Sequence, residues 1–445
     1  MIGQFPWDPF PPSGEPDPKG PDPVQTIAFR AAVTAADAYR SVRLALRRES
    51  GTLRVGNRFV TDGRYRQVAF LAFGNAANSM ALAALHAIGD RLTQGFLAVP
   101  DQVDPAIPFR GVRVPPGWGG APAAEEAVAA ATELASGLSE QDLLLVLLSS
   151  GALRSLLRPP PDMGEEEFGA FLAEAHARGA TGPEVDLLAR VLGDGAVAGR
   201  LASAIPSADT ATFIVDRGDG PKLVGGGPMH PLGPTERGEC HELLARLQLT
   251  SRLPATVRDR TETTRPPLPA RIARPVVVAS PGDALKAAAD ALFDKGWTSR
   301  LAFLSLRDAP TPAARRFLGR ADELFVAEGL SSDSRTKGVA AFAMATLGLP
   351  EGVEEGPSFG EFLTVAQGGL RRREMSAGLF RTAGAIGDPN YPAGAVVGAA
   401  TDPEAHVAPG RARVVAMRKG ITDVGLLAVA LFPTPSAAGK PGRAR

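Results

Sequence analysis

Val68-Ala69-Phe70-Leu71-Ala72-Phe73-Gly74 is the stretch that decides the fold. Its run of consecutive apolar residues has no polar face, so a strand built from it is buried on both sides. The run suits a strand and is too short for a helix. Gly74 supplies the break, and Asn75 to Gly89 behind it reads as a helix. The same unit recurs along the chain. Phe96-Leu97-Ala98-Val99 is closed by Pro100, and Leu143–Leu148 and Ala211-Thr212-Phe213-Ile214-Val215 are further buried strands. Helical stretches fall between them at 125–136, 168–176 and 236–247. Upstream, Ile27, Phe29, Ala32, Val33, Ala36, Tyr39, Val42 and Leu46 keep helical spacing through one long segment. Strands apolar on both faces, alternating with amphipathic helices, imply an α/β fold with a largely parallel sheet flanked by helices.

The alternation breaks once. Arg260 to Pro275 is rich in Arg, Thr and Pro, has no helical or strand period, and reads as an interdomain connection. Beyond it come a strand at Val276–Ala279, a helix at Asp283–Phe293 and strands at Leu301–Leu306 and Leu324–Val326. A helix at about Gly338–Leu347 and strands at Val414-Val415 and Leu426–Phe432 follow. The expected organisation is a Pro-rich tail over 1–25, α/β domains over 26–262 and 275–433 with a cleft between them, and a loose tail over 434–445.

Composition narrows the function. A length of 445 residues suits two or three domains, and 44% hydrophobic residues can fill large cores. Lys+Arg and Asp+Glu are 48 each, which argues against a nucleic-acid scaffold and against a polybasic membrane binder. Cys240 is the lone cysteine, so neither an intrachain disulfide nor a cysteine zinc cluster can form. The five histidines show no metal-ligand spacing, and no metal site is expected. The first residues lack the basic-then-apolar order of a signal peptide, and the longest apolar runs are too short to cross a bilayer. A soluble, cytoplasmic protein is the expectation. Phe5, Trp7 and Phe10 stand among prolines that exclude helix and central strand. These aromatics are costly to leave in water, so they are expected to pack on the protein's own body or on a partner protein.

In open α/β sheets, ligands bind beyond the carboxyl ends of the strands. The loops there are Gly74-Asn75-Ala76-Ala77, Ser149-Ser150-Gly151-Ala152, Asp216-Arg217-Gly218-Asp219-Gly220 and Gly225-Gly226-Gly227-Pro228. Small-residue loops of this kind can cradle anionic groups, and more often they simply join a strand to a helix.

Set in order, these pieces resemble the class II glycerate kinases, the glycerate 2-kinase group with a C-terminal MOFRL domain. Ala28-Phe29-Arg30-Ala31-Ala32 and Leu53-Arg54-Val55-Gly56 resemble the family's opening. Gly74-Asn75-Ala76-Ala77 resembles its Gly-Lys-Ala helix start, and Gly199-Arg200-Leu201-Ala202 resembles the end of its Lys-Gly-Gly-Arg-Leu-Ala. Asp216 with Gly218-Asp219 and then Gly227-Pro228 resembles its Ser-Asp-Val…Gly-Asp…Ser-Gly-Pro-Thr. The resemblance runs from about Thr26 to Phe432 and implies a Rossmann-like kinase domain over 26–262, a MOFRL-like domain over 275–433 and an active site in the cleft.

The resemblance implies catalytic positions at Asn75 and Arg335. It implies cofactor-binding positions at Ser149, Ser150, Gly151, Asp216, Gly218, Asp219, Gly227 and Arg200. The departures are as telling. The family's Gly-Lys-Ala lysine is Asn75, its Gly-His-Pro is Gly120-Ala121-Pro122, and its Ser-Gly-Gly-Gly-Ser loop is reduced to Ser149-Ser150-Gly151-Ala152-Leu153-Arg154. The lysine of Lys-Gly-Gly-Arg falls at Val197, and of Gly-Gly-Arg-Asn-Gln-Glu only Arg335 survives. Phosphoryl transfer is almost wholly positioning plus charge neutralisation, so these losses read as a degenerate member. ATP and Mg²⁺ are implied if transfer persists, and no cofactor if it does not. The partners implied are a glycerate-like small molecule or nucleotide, or a protein engaged through the N-terminal tail. Three functions follow: a pseudoenzyme kept as a binding or scaffold subunit, an active ATP-dependent glycerate kinase in which Arg154, Lys222 or Lys419 replaces lost charge, or new chemistry in the old cleft. The bland alternative for the survivors is that Asp216 and Asp219 cap a turn and the arginines make ion pairs.

Overall fold

The structure is a computed structural model. It describes residues 23–100, 102–114, 122–205, 207–218, 220–261, 274–306, 315–317, 319–321, 323–324, 338–345, 376–381, 396–398 and 426–433. The chain opens with helices α1 (Pro23–Ala35) and α2 (Ala38–Ala45), where one long helix was expected. Asp37 divides them: it takes an extended conformation and its carboxylate accepts the Arg40 N–H at 3.2 Å, capping α2. A small antiparallel meander follows, β1 (Leu46–Glu49), β2 (Thr52–Val55) and β3 (Arg58–Thr61).

The main sheet then begins with β4 (Gln67–Phe73), α3 (Ala77–Ile88), β5 (Leu92–Val99), β6 (Arg110–Arg113), α4 (Pro122–Ser136) and β7 (Asp142–Leu148). Next come α5 (Ala152–Leu156), β8 (Leu157–Arg158), α6 (Glu165–Ala177), α7 (Gly182–Leu192), β9 (Asp194–Gly195) and α8 (Arg200–Ser203). The first half closes with β10 (Asp209–Val215), α9 (Pro234–Arg246) and α10 (Ala255–Arg258). After the connection come β11 (Val276–Ala279), α11 (Pro281–Phe293), β12 (Trp297–Leu306), β13 (Gly338–Ala345), β14 (Ser376–Arg381), β15 (Val396–Gly398) and β16 (Leu426–Pro433).

Six strands pair in parallel in the order β11-β10-β7-β4-β5-β6. β4 and β7 are buried along nearly their whole length, as their apolar sequence requires. Alternate side chains of these strands enter two different cores, Phe70 and Leu145 on one face and Leu71 and Val146 on the other. The chain winds outward from β4 to β6 in one direction and from β7 to β11 in the other. The switch point of the sheet therefore lies between β4 and β7, at the strand ends where open α/β sheets of this kind place their crevice. β11 follows the Arg260–Pro275 connection yet joins this first sheet at its edge, beside β10.

The second sheet has the order β12-β13-β16-β14-β15. Only the β12–β13 pairing is parallel among these, so this sheet is mixed. The stretch expected to be helical from Gly338 is strand β13 instead. Its alanines favour helix by propensity, but they are flanked by β12 and β16 and buried, and pairing on both sides overrides propensity. Leu324 is helical and does not begin a strand; Phe325, Val326, Val414 and Val415 lie outside the described residues. α1 packs along α11 and touches β16, so one apolar core runs from the first sheet into the second.

Candidate functional site

The crevice at the switch point is walled by two loops that are bonded to each other. The Asn75 N–H donates to the Ser150 carbonyl at 2.9 Å, and the Ala76 N–H donates to Ser149 Oγ at 2.9 Å. Ser149 is fully buried, and its own N–H donates to the Phe73 carbonyl at 3.0 Å. Gly74 makes this contact possible. Its φ is +103°, and a Cβ there would stand 2.5 Å from the Ser150 carbonyl oxygen. Asn75, Ser149, Ser150 and Gly151 are thus brought together.

A third loop closes on the same place. Gly225, Gly226 and Gly227 all take left-handed backbone angles. A Cβ on Gly226 would lie 2.5 Å from Leu153 Cδ1, so the Leu153 side chain rests directly on this glycine backbone. Leu153 is buried. The segment before α8 completes the contact, with the Ala198 N–H donating to the Gly226 carbonyl at 2.9 Å and the Gly199 N–H to the Gly227 carbonyl at 2.8 Å. Gly227 therefore sits beside the loop that carries Arg200.

The polar residues singled out in the sequence are engaged locally. Asp216 is 7% exposed, and its Oδ1 accepts the N–H groups of Gly218 at 2.9 Å and Gly220 at 3.1 Å. Arg200 donates from one Nη to the Gly193 carbonyl at 2.7 Å, and its Nε lies 3.5 Å from Asp194. Asp219 and Arg335 lie outside the described residues. Among the described residues no three His, Cys, Asp or Glu side chains gather as a metal site.

A charged cluster that the sequence reading did not flag flanks the glycine loop. Arg190 is buried and pairs with Glu236 at 2.7 Å, and the other Glu236 oxygen accepts the Gly233 N–H at 2.7 Å. Burial pushes the Glu236 carboxyl up, but the Gly233 N–H and the Arg190 guanidinium outweigh it and hold the group below its ordinary range. His230 is pulled down by burial and then by nearby Lys222, against the opposing charge of Glu236. Pro234 followed by Glu236 marks the helix start, but nothing in the sequence links it to Arg190 on another helix.

The chain matches the family described as "Domain of unknown function (DUF4147)" over residues 25–262. It belongs to the DUF4147 family. Curated relatives carry a more specific name. This DUF4147 chain is 28% identical over 248 residues to the glycerate kinase of Danio rerio, covering 52% of this chain and 48% of that protein. It is 30% identical over 235 residues to the glycerate kinase of Bos taurus, covering 48% and 43%. The chain spans about half the length, or less, of the curated relatives it matches. Solved structures share the fold along almost the whole chain. The glycerate kinase of Thermotoga maritima superposes with a TM-score of 0.68 at 17% identity, covering 92% of this chain and 98% of that one. The PH0495 protein of Pyrococcus horikoshii OT3 gives 0.67 at 18%, covering 93% and 98%. The DUF4147 chain is a glycerate kinase-like protein with a mixed α/β fold. No helix among its described residues is long and apolar enough to cross a membrane.

Proposed function

We propose that this protein keeps the glycerate 2-kinase fold, with its MOFRL-type C-terminal part, without phosphoryl transfer, and serves as a binding or scaffold subunit. The observation that carries the reading is the use made of the crevice. Its loops bond to each other, and Leu153 fills the space over Gly226. Such a loop must let an anion approach its backbone, and a leucine side chain blocks that approach.

The residues present do not fit ATP with Mg²⁺. Asn75 is neutral where the family it resembles carries a lysine. Asp216 spends one carboxylate oxygen on its own turn, and Arg200 is held by Gly193 and Asp194. Removing a single preorganised donor from a transition state costs about 2.7–4 kcal/mol, and several are missing together here.

One observation favours a second reading. Lys222 lies near His230 and Glu236 beside the glycine loop, so a cation is at hand for a rearranged kinase site. The test is glycerate-dependent ATP consumption by the purified full chain, alongside melting curves with ATP, ADP, Mg²⁺ and glycerate. Negligible turnover is expected, and Asn75→Lys alone does not restore it. Turnover of about 1 per second or more, abolished by Lys222→Ala, would establish the second reading instead.

A further inference from the structure

Asp37 is a buried acid that the crevice does not use. It stands at the joint between α1 and α2 and is 2% exposed, between Ala36 and Ala38, which are fully buried. Its backbone is extended, with φ −63° and ψ 115°, so the chain turns there between two helices. Its Oδ1 accepts the Arg40 N–H at 3.2 Å, and the carboxylate forms no ion pair among the described residues. A buried carboxylate without a counter-charge favours its neutral form. The joint separates two different attachments. Phe29, Ala32 and Val33 of α1 enter the apolar core that also holds Leu427 and Val429 of β16, and α1 packs along α11. α2 instead packs on α3, β1 and β11, at the first sheet. The Tyr39 hydroxyl and His86 Nδ1 share a hydrogen bond of 2.8 Å, and Arg43 donates to the His86 carbonyl, so α2 is fixed to α3.

We propose that this joint is a proton-operated latch: a neutral Asp37 holds α1 against α11 and β16, and an ionised Asp37 loosens α1 and with it the tie between the two sheets. The inference stands whether or not the crevice transfers phosphoryl groups. When α1 lifts, Asp37 reaches water, and only the ionised form gains much by that. Burial pushes the Asp37 carboxyl up to about 6, against the Arg40 and Tyr39 N–H groups and the Arg40 charge. Its folded value lies above its ordinary one, so its hold on the joint is full below about pH 4 and is lost as pH rises through about 6. The elements packed at the joint carry few other charges. β11 and β16 have none. α1 carries Arg30, α2 Arg40 and Arg43, and α3 His86. On β1, Arg48 pairs with Asp62 and Asp90, and Arg47 with Glu49. On α11, Lys286 pairs with Asp290, and Asp283 accepts the Ser280 hydroxyl. Of these groups, His86 is the other whose ordinary titration falls near pH 6.

The test is hydrogen exchange of the full chain at about pH 5 and about pH 7.5, corrected for the intrinsic dependence of exchange on pH. Peptides from α1 and β16 are expected to open about tenfold more at the higher pH, the change that a carboxyl moving between about 4 and about 6 imposes over that interval. Peptides from α4 and α6 should change less than about twofold. Asp37→Asn keeps a capping oxygen and cannot ionise, so it should hold α1 equally closed at both pH values, and Asp37→Ser, a second neutral cap, should behave alike. His86→Gln removes the neighbouring imidazole and should leave the pH dependence in place. The proposal is overturned if α1 of the wild type exchanges alike at both pH values, if its pH dependence persists in Asp37→Asn or Asp37→Ser, or if His86→Gln abolishes it. Loosening shared equally by α4 and α6 also overturns it, because the change then belongs to the whole chain and not to the joint.

Discussion

Asp216 separates a structural crevice from a working one, because a capping carboxylate and a metal-binding carboxylate respond differently to the same substitutions. Its Oδ1 accepts two backbone N–H groups, at 2.9 and 3.1 Å, and the residue is 7% exposed. Asp216→Ala removes both bonds. A hydrogen bond to a charged group nets about 1.5–3 kcal/mol, and the freed N–H groups sit in a loop that water can reach, which reduces the loss. The expected cost is about 2–3 kcal/mol. Asp216→Asn keeps a neutral oxygen in place and should cost under about 1 kcal/mol. Urea denaturation of the three proteins, with and without Mg²⁺ and ATP, reads both quantities. If Asp216 held Mg²⁺, saturating ligand at 100 times its Kd would add about 2.7 kcal/mol to the wild type and nothing to Asp216→Asn. The capping account is refuted if Asp216→Ala stays within about 0.5 kcal/mol of wild type, or if Asp216→Asn abolishes a Mg²⁺-dependent gain.

Other consequences follow from packing and charge. Gly226→Ala places a Cβ 2.5 Å from Leu153 Cδ1 at a φ of +74°, and should destabilise by about 2–4 kcal/mol in denaturant titration, with part recovered by adding Leu153→Ala. At the start of β7, burial pushes the Asp142 carboxyl up, but the Arg66 guanidinium and the Ser139 N–H and O–H outweigh it and hold the group at about 2. Its folded value lies below its unfolded one, so it contributes about 2–3 kcal/mol above about pH 4, lost as pH falls through about 2. Asp142→Asn should therefore be less stable at pH 7, with the gap closing toward pH 2 in parallel melts. Burial pushes the Cys240 thiol up to about 12, so a thiol reagent should label it only after denaturation.

Much of this was legible in the chain itself. Gln67–Phe73, Leu92–Val99, Asp142–Leu148 and Asp209–Val215 form strands where the apolar runs put them, because a segment apolar on both faces can be satisfied only inside a covered sheet. The order of Ala28–Ala32, Leu53–Gly56, Gly74–Ala77, Gly199–Ala202 and Asp216 to Pro228 likewise pointed to the glycerate kinases. Local pattern failed where neighbours decide. The alanines of Gly338–Ala345 carry helix propensity, and only β12 and β16 on either side make them a strand. Asp37 ends a helix that apolar spacing alone carries onward, because capping depends on one carboxylate and not on periodicity.

The sequence put the Asn75 and Ser149–Gly151 loops at strand ends, and the β4–β7 pairing sets them side by side. What those residues do was decided by tertiary contacts. Whether Leu153 points outward or lies on Gly226 depends on atoms far apart in the chain, and Arg200 turns to the Gly193 carbonyl seven residues before it. The Arg190–Glu236 pair joins α7 to α9 in the same way. Periodicity records which face of an element is dry, and hydrogen-bond partners across elements leave no trace in it, so the fold was written in the sequence and the state of the crevice only in the packing.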